Sequence, residues 1–416
     1  MLIVQKFGGT SVANVERIGN VAKRIVETKN QGNDVVVIVS AMAGETNRLI
    51  DLAHQVSDTP DERELDVLVS TGEQVTTALL AMTLISMGYK ANSLQNHQVR
   101  IVTDSTFTKA RIKSIDARKF RKALADGSIA IVAGFQGVDE HGNITTLGRG
   151  GSDTTAVAIA AAIKQADPNI ELLCEIYTDV DGVYTTDPNI IPEARKLKTI
   201  SYEEMLEMAS LGAKVLQTRS VEFAAKYNIP IHVRSSFTNE EGTIITNSKD
   251  LQTMESLRIT GVAYDKNEAK VSVLGVPDKP GVAAKIISPV ADAGITVDMI
   301  IQNTGVDGFA DITFTVPKSD YRKAMAILKQ AASEVGARDL IGDEKIAKVS
   351  LVGVGMRSHS IVAAKMFRTL ADAGINIEMI STSEIKISCV VDEDRVEEAV
   401  KLLHKAFELE KEAVGV

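Results

Sequence analysis

Two hydrophobic patterns alternate along the first 230 or so residues. Short aliphatic runs at 2–5, 35–39, 129–133, 172–177 and 231–233 predict buried strands. Between them, apolar residues recur at helical spacing. Val12, Val15, Ile18, Ala22, Ile25 and Val26 predict one helix face. Val75, Ala78, Leu79, Met82 and Ile85 predict a second, and Met205, Met208 and Leu211 a third. Strands that are apolar throughout, alternating with helices, imply an α/β fold with a mainly parallel sheet covered on both faces. A helical bundle fits the β-branched runs poorly.

The pattern changes at the polar stretch 239–256, which reads as a boundary. Beyond it the sequence repeats itself. AKVSVLGV at 269–276 returns as AKVSLVGV at 347–354, six identities in eight. VAAK at 282–285 returns at 362–365, and ADAGITVDMI at 291–300 returns as ADAGINIEMI at 371–380, seven identities in ten. The offset grows from 78 to 80 where DKPG in the first copy becomes GMRSHS in the second, a loop in which an insertion is cheap. Each copy reads strand, loop, helix, strand, strand, helix, and a final strand would complete a ferredoxin-like βαββαβ unit. Two copies are too few for a solenoid.

Composition narrows the picture. At 416 residues the chain has room for two to four domains. A hydrophobic share of 44% supports a real core, and with no Trp and only 4% aromatics that core is aliphatic. The formal charge of −9 carries no basic footprint for nucleic acid. No apolar run reaches the length a membrane helix needs, and MLIVQKFGG lacks the basic region of a signal peptide. Cys174 and Cys389 lie on separate apolar stretches, which argues against a disulfide framework or a cysteine metal site and fits a reducing cytoplasm.

Four motifs sit where strands give way to helices. Lys6-Phe7-Gly8-Gly9-Thr10-Ser11 follows the first strand. Its glycines allow backbone N–H groups to approach phosphate oxygens, and Lys6 adds a charge. The same glycines would also serve a plain strand-to-helix turn. Ser70-Thr71-Gly72-Glu73 opens another helix, after the strand and small-residue turn VVVIVSAMAG. Glu73 suits a cationic ligand group, or is an ordinary first-turn acid favoured by the helix dipole. In LGRGGSDTT, Ser152 or Asp153 could cap the next helix. Capping does not explain Gly148, Gly150 and Gly151 around Arg149, whose guanidinium can grip a carboxylate. TDVDGVYTTDP, 178–188, reads either as an acidic turn or as a nucleotide-side loop.

Taken together and in this order, KFGGTSV, VVVIVSAMAG, STGEQ, GRGGSDTTA and TDVDGVYTTDP resemble the aspartate kinases of the amino acid kinase family. The likeness runs over essentially the whole chain, and the repeats look like ACT domains. It implies a three-layer kinase domain at 1–245, a first ACT region at 246–340 and a second at 341–416. The ACT units could be interleaved, with 255–265 contributing to the second. The implied reaction moves the γ-phosphate of MgATP to the β-carboxylate of L-aspartate, giving 4-phospho-L-aspartate. The rivals are an N-acetylglutamate or glutamate 5-kinase, or a non-catalytic amino-acid sensor.

The resemblance also implies roles. Lys6, Gly8, Gly9 and Thr10 would contact the ATP phosphates, with Lys6 and Asp153 catalytic. Thr178, Asp179, Gly182, Tyr184, Asp187 and Lys214 would lie on the nucleotide side. Ser40, Thr46, Glu73, Arg149, Gly150 and Ser152 would bind aspartate. Mg²⁺ would come with ATP, and no protein ligand to it is named. Lysine, threonine or both would act as feedback effectors. Asp278, Thr296, Val297, Asp298, Gln302 and Asn303 match effector positions in the first repeat. Asn376, Ile377, Ser383 and Glu384 match them in the second, where Asp278 has no counterpart. A homo-oligomer through the ACT domains, a shorter regulatory subunit and a cytoplasmic location complete the expectation, without nucleic acid or membrane.

Overall fold

The five aliphatic runs form the middle of one eight-stranded sheet. The strands are β1 (Leu2–Phe7), β2 (Asp34–Val39), β3 (Ala91–Leu94), β6 (Ile129–Ala133), β9 (Leu172–Thr178), β10 (Thr199–Ser201), β11 (Ile231–Ser235) and β12 (Thr243–Thr246). Their order is β10-β12-β11-β9-β1-β2-β6-β3, parallel except between β11 and β12. In this computed structural model the described residues are 1–210, 215–248, 258–305, 307–354, 356 and 360–411. A smaller sheet, ordered β5-β4-β7-β8, is built from β4 (Ile101–Thr103), β5 (Ile112–Ile115), β7 (Gln136–Val138) and β8 (Ile144–Thr146). The aliphatic pattern does not announce these short strands, nor β12 inside the polar stretch.

The helices are α1 (Val15–Asn30), α2 (Glu45–Val56), α3 (Glu62–Val69), α4 (Thr71–Ser86), α5 (Asn96–Val99), α6 (Arg118–Ala125), α7 (Gly151–Ala166), α8 (Tyr202–Ser210) and α9 (Thr218–Tyr227). Ile18, Val21 and Ile25 of α1 pack with Leu80 and Leu84 of α4 and with Val35, Val37 and Val39 of β2. α7 lies against β1 and β9 and is buried from Gly151 to Ala161. Aliphatic burial on both faces is what holds such a sheet, at about 25 cal/mol for each Å² of apolar area.

Two helix faces differ from the expectation. Val15 is 68% exposed, because α1 starts there, after its cap Asn14 accepts the Arg17 N–H. On α4 the buried face is Thr76, Thr77, Leu80, Ala81 and Leu84, while Val75, Met82 and Ile85 point outward. Thr76 and Thr77 can be buried because their hydroxyls donate to the carbonyls of Gly72 and Gln74. α3 and α4 also run on as one helical stretch of 25 residues, Glu62–Ser86. Among the described residues it is the one helix long and apolar enough to cross a membrane, where the sequence had suggested none. Half of its most apolar window is buried, and Asp66 and Glu73 within it hydrogen bond to neighbouring backbone, as in a core helix.

The chain forms two compact units. The first comprises Met1–Tyr184, Lys196–Ser210 and the described residues of 215–248. The second comprises Thr185–Arg195 and the described residues from 258 onward. Its elements are β13 (Arg258–Asp265), β14 (Glu268–Pro277), α10 (Val282–Asp292), β15 (Asp298–Thr304), β16 (Phe309–Pro317), α11 (Tyr321–Val335), β17 (Asp339–Asp343), β18 (Ile346–Val354), α12 (Ser360–Asp372), β19 (Met379–Thr382), β20 (Lys386–Asp392) and α13 (Val396–Ala406). The first repeat forms the sheet β15-β16-β14-β17. The second forms β13-β18-β20-β19, taking its outer strand from ahead of the first repeat.

The two repeats meet through reciprocal ion pairs. Lys270 of the first pairs with Glu378 of the second, and Lys348 of the second pairs with Asp298 of the first at 2.6 Å. The lysines occupy equivalent repeat positions, as do the acids. Lys348 is only 3% exposed and also reaches Glu268 at 3.3 Å. Burial alone would lower its pKa, but Glu268 and Asp298 hold it above the ordinary value. Met299, Ile346, Met379 and Val390 form an apolar cluster in the same unit. Thr185 is tied in as well: its carbonyl accepts the Val262 N–H at 2.8 Å, and its hydroxyl lies 3.0 Å from Nε2 of His404. Both cysteines are buried and unpaired, and burial raises both thiol pKa values.

Candidate active site

A pocket of about 270 Å³ opens at the C-terminal ends of β1 and β2, where open α/β sheets present their ligand crevices. β1 contributes Lys6. The turn after β2 contributes Ser40 and Gly44, and the first turn of α2 contributes Thr46. The first turn of α4 contributes Glu73, and the passage from β8 into α7 contributes Gly148–Asp153. Every residue assigned to aspartate from the sequence therefore lines one cavity, together with Lys6, Gly9 and Asp153.

Lys6 Nζ lies 2.6 Å from Asp153 Oδ1, with both side chains about nine-tenths buried. The charges can be buried because they are paired. Neither Ser152 nor Asp153 caps α7. Gly150 takes the cap position in the left-handed region, φ +70°, which leaves both side chains in the first turn at the pocket. A side chain on Gly150 would collide with Gln217. Gly9 is similarly confined, since a Cβ would come within 2.9 Å of the Ala41 carbonyl oxygen.

Glu73 is 2% exposed. Its Oε1 accepts the Ala41 N–H at 3.0 Å, whereas Oε2 is buried with no hydrogen-bond partner among the described residues. Burial pushes its carboxyl up to about 7, against the opposing backbone N–H bonds. This is a stronger feature than a dipole-favoured acid on a helix surface. Arg149 is exposed at the rim, and among the described residues it makes no hydrogen bond or ion pair. The cavity thus offers an unsatisfied carboxylate oxygen and an uncommitted guanidinium, complementary to an amino acid's ammonium and carboxylate.

Apart from Lys6 and Gly9, the described nucleotide-side candidates lie outside that lining. Gly8 donates its amide to the Tyr177 carbonyl at 3.3 Å, so that N–H is already used. Thr10 is exposed. Thr178 donates its hydroxyl to Asp179 at 3.0 Å. Asp181 accepts from the Tyr184 hydroxyl at 2.9 Å and from Lys196 at 3.3 Å. Those bonds hold Asp181 below the usual carboxylate range despite some burial. Gly182 is packed against Thr243 and Lys196, and Asp187 accepts the Tyr264 hydroxyl at 3.3 Å. Lys214 lies outside the described residues. Sequence reading missed Lys196, which braces this loop, and Phe135, which lines the pocket with φ +69°. That backbone region is costly for an aromatic residue and clusters at functional sites, but no residue pattern signals it.

A second pocket of about 430 Å³ lies in the second repeat, lined by Met356, Ser360, Ala363, Thr382, Ser383, Glu384 and Ile387. It gathers Ser383 and Glu384 alone among the effector candidates. Asp298 is committed to Lys348. Asp278, Thr296, Gln302, Asn303 and Asn376 are exposed, and Val297 and Ile377 are half-buried, all outside this lining. Most of the GMRSHS loop falls outside the described residues.

The amino acid kinase family model matches residues 1–235, and ACT domain models match 271–333 and 349–407. The chain belongs to the amino acid kinase family. Within that family it falls among the aspartate kinases. It is 58% identical to the aspartate kinase of Pseudomonas putida over 99% of this chain and 98% of that one. It is 59% identical to the aspartokinase of Pseudomonas aeruginosa over the same shares. E. coli aspartokinase III in complex with aspartate and ADP superposes with a TM-score of 0.77 at 25% identity, covering 98% of this chain and 99% of that one. The same enzyme in complex with lysine and aspartate gives 0.72 at 26% identity over the same shares. A nucleotide-dependent phosphotransfer is the reaction of this class.

Proposed function

We propose that the first pocket binds L-aspartate between Glu73 and Arg149 and presents its β-carboxylate to ATP beside Lys6. The observation that carries this reading is the convergence of Lys6–Asp153, the unpartnered Glu73 oxygen and Arg149 in one cavity. A β-carboxylate oxygen bonds to the γ-phosphorus, the bond from that phosphorus to the β–γ bridging oxygen breaks, and ADP leaves. The products are 4-phospho-L-aspartate and ADP. The attacking carboxylate is already ionised at neutral pH, so no general base is required. The obstacle is repulsion between two anions, so positioning and positive charge do the work. Lys6 supplies charge at the phosphates and Asp153 holds Lys6 in place. Ser40, Thr46, Gly150 and Ser152 complete the substrate side. Gly8, Gly9, Thr10, Thr178, Asp179, Gly182, Tyr184, Asp187 and Lys214 form the nucleotide side.

Mg²⁺ suits the residues present. The pocket lining holds two carboxylates, Glu73 and Asp153, and among the described residues no three His, Cys, Asp or Glu side chains gather into a protein-only cage. Mg²⁺ keeps phosphate oxygens and water and takes one or two carboxylates, which makes Asp153 the residue to hold it or its water. Bound with ATP, it offsets charge on the phosphate oxygens. The ACT pair, with the second pocket, is the sensor of lysine, threonine or both. Lysine bound to the E. coli enzyme supports the first of these. Association of copies through the ACT domains, a shorter regulatory subunit and a cytoplasmic location belong to the same reading.

Trapping the acyl phosphate with hydroxylamine tests it. Aspartyl hydroxamate should form only with both ATP and aspartate, and should fall as lysine, threonine or their mixture is added. Product with another amino acid but none with aspartate would overturn the substrate assignment.

A further inference from the structure

Two charged residues outside the pocket hold the base of the Arg149 loop. Asp66, on α3, has no exposed surface. Its Oδ2 accepts the N–H groups of Thr108 at 2.9 Å and Thr146 at 2.8 Å, and its Oδ1 accepts the Thr146 hydroxyl at 2.6 Å. Arg219, on α9, is half-buried. It donates Nη1 to the Leu147 carbonyl at 3.0 Å and Nη2 to the Ala110 carbonyl at 2.9 Å. Among the described residues no carboxylate pairs with it.

An anion and a cation therefore grip the same two chain segments, 108–110 and 146–147. The anion takes N–H groups and the cation takes carbonyls. The Ala110 N–H joins the segments by donating to the Thr146 carbonyl at 2.8 Å. Charge-assisted bonds of this kind are stronger than neutral ones, and these converge on the last residues of β8 and the one after it. Gly148 follows at once, and then Arg149. Two residues before Arg219, Gln217 fills the space left open by Gly150.

Among the described residues Arg149 has no side-chain partner to orient it, so its direction is set by the backbone from which it leaves. α7, which carries Asp153, is held by its burial against β1 and β9 as well as along α9. We propose that Asp66 and Arg219 are positioning residues for aspartate use: together they clamp the end of β8 and so aim Arg149 into the pocket. The clamp rests on the reading of Arg149 as the carboxylate-gripping group. It acts on substrate binding and leaves the Lys6–Asp153 pair alone.

The test measures hydroxamate formation by the full chain, with aspartate and ATP varied separately, for wild type, Arg219→Ala and Asp66→Asn. A misaimed binding group costs about tenfold or more. The aspartate KM should rise by about that factor, while the ATP KM and kcat at saturating aspartate stay within about twofold. Arg219→Lys, which keeps the charge but not the fork, should recover part of the loss. An unchanged aspartate KM, or equal losses in both KM values and kcat as from general loosening, would overturn the clamp. If Arg219→Ala does not fold, Arg219→Lys is judged by the same criteria. Failure of the wild type to make aspartyl hydroxamate would instead remove the reading of the pocket itself.

Discussion

Glu73 shows how one buried side chain can set a pH profile. Burial raises its carboxyl to about 7. On the proposed reading an arriving ammonium group needs it ionised, so aspartate binding should release a proton wherever Glu73 begins protonated. As pH falls below about 7, the aspartate KM should therefore climb, approaching tenfold per unit. Saturation curves across this range would show it, and Glu73→Gln should bind aspartate more weakly with a flatter profile. The sign for stability is the opposite. Between the ordinary carboxyl value of 4.5 and about 7, the empty fold holds a proton that the unfolded chain releases. Its contribution to stability is present at low pH and lost as pH rises through that window. Thermal unfolding without aspartate would register the trend.

Among the elements, α4 separates pattern from placement. Both of its sides are rich in apolar residues, so periodicity finds the helix but not its inner face. Leu80→Ala should cost about 2–5 kcal/mol by opening a cavity under β2. Ile85→Ala, on the 56% exposed side, should stay within about 0.5 kcal/mol. Chemical denaturation of the two variants distinguishes these faces. The same contrast governs what could be read from sequence alone. β2 and β6 were the most legible strands, because burial on both faces leaves unbroken aliphatic runs at 35–39 and 129–133. The pocket was legible where a motif carries its own reason, such as Lys6 beside glycines or Arg149 between them. Asp66 and Arg219 were not, because their partners, mostly main-chain groups, belong to residues 42 to 109 positions away. β12 escaped notice because four residues, TIIT, are too few to establish a period.

At the scale of the whole chain, the regulatory pair is held by charges as well as by apolar contact. Removing the Lys348 amine would leave Asp298 and Glu268 facing each other without their cation. Lys348→Ala should cost about 3–5 kcal/mol. Lys270→Ala should cost less, because that pair is about one-fifth exposed and water can replace the partner. Unfolding followed by a probe within the second unit would rank them. A larger loss at Lys270 would refute this ordering.

The borrowed strand β13 has a consequence in time. During synthesis the first repeat can close as soon as β17 leaves the ribosome, since all four of its strands are then present. β13 is made earlier but finds its partner β18 only after Val354, 89 residues beyond Asp265. At about 5–20 residues per second, that is a wait of roughly 4 to 18 seconds. Throughout it, β13 has an unpaired edge, the kind of surface on which nascent chains join one another. The second repeat therefore cannot complete its sheet before its own β18 has been made, however early its first strand appears.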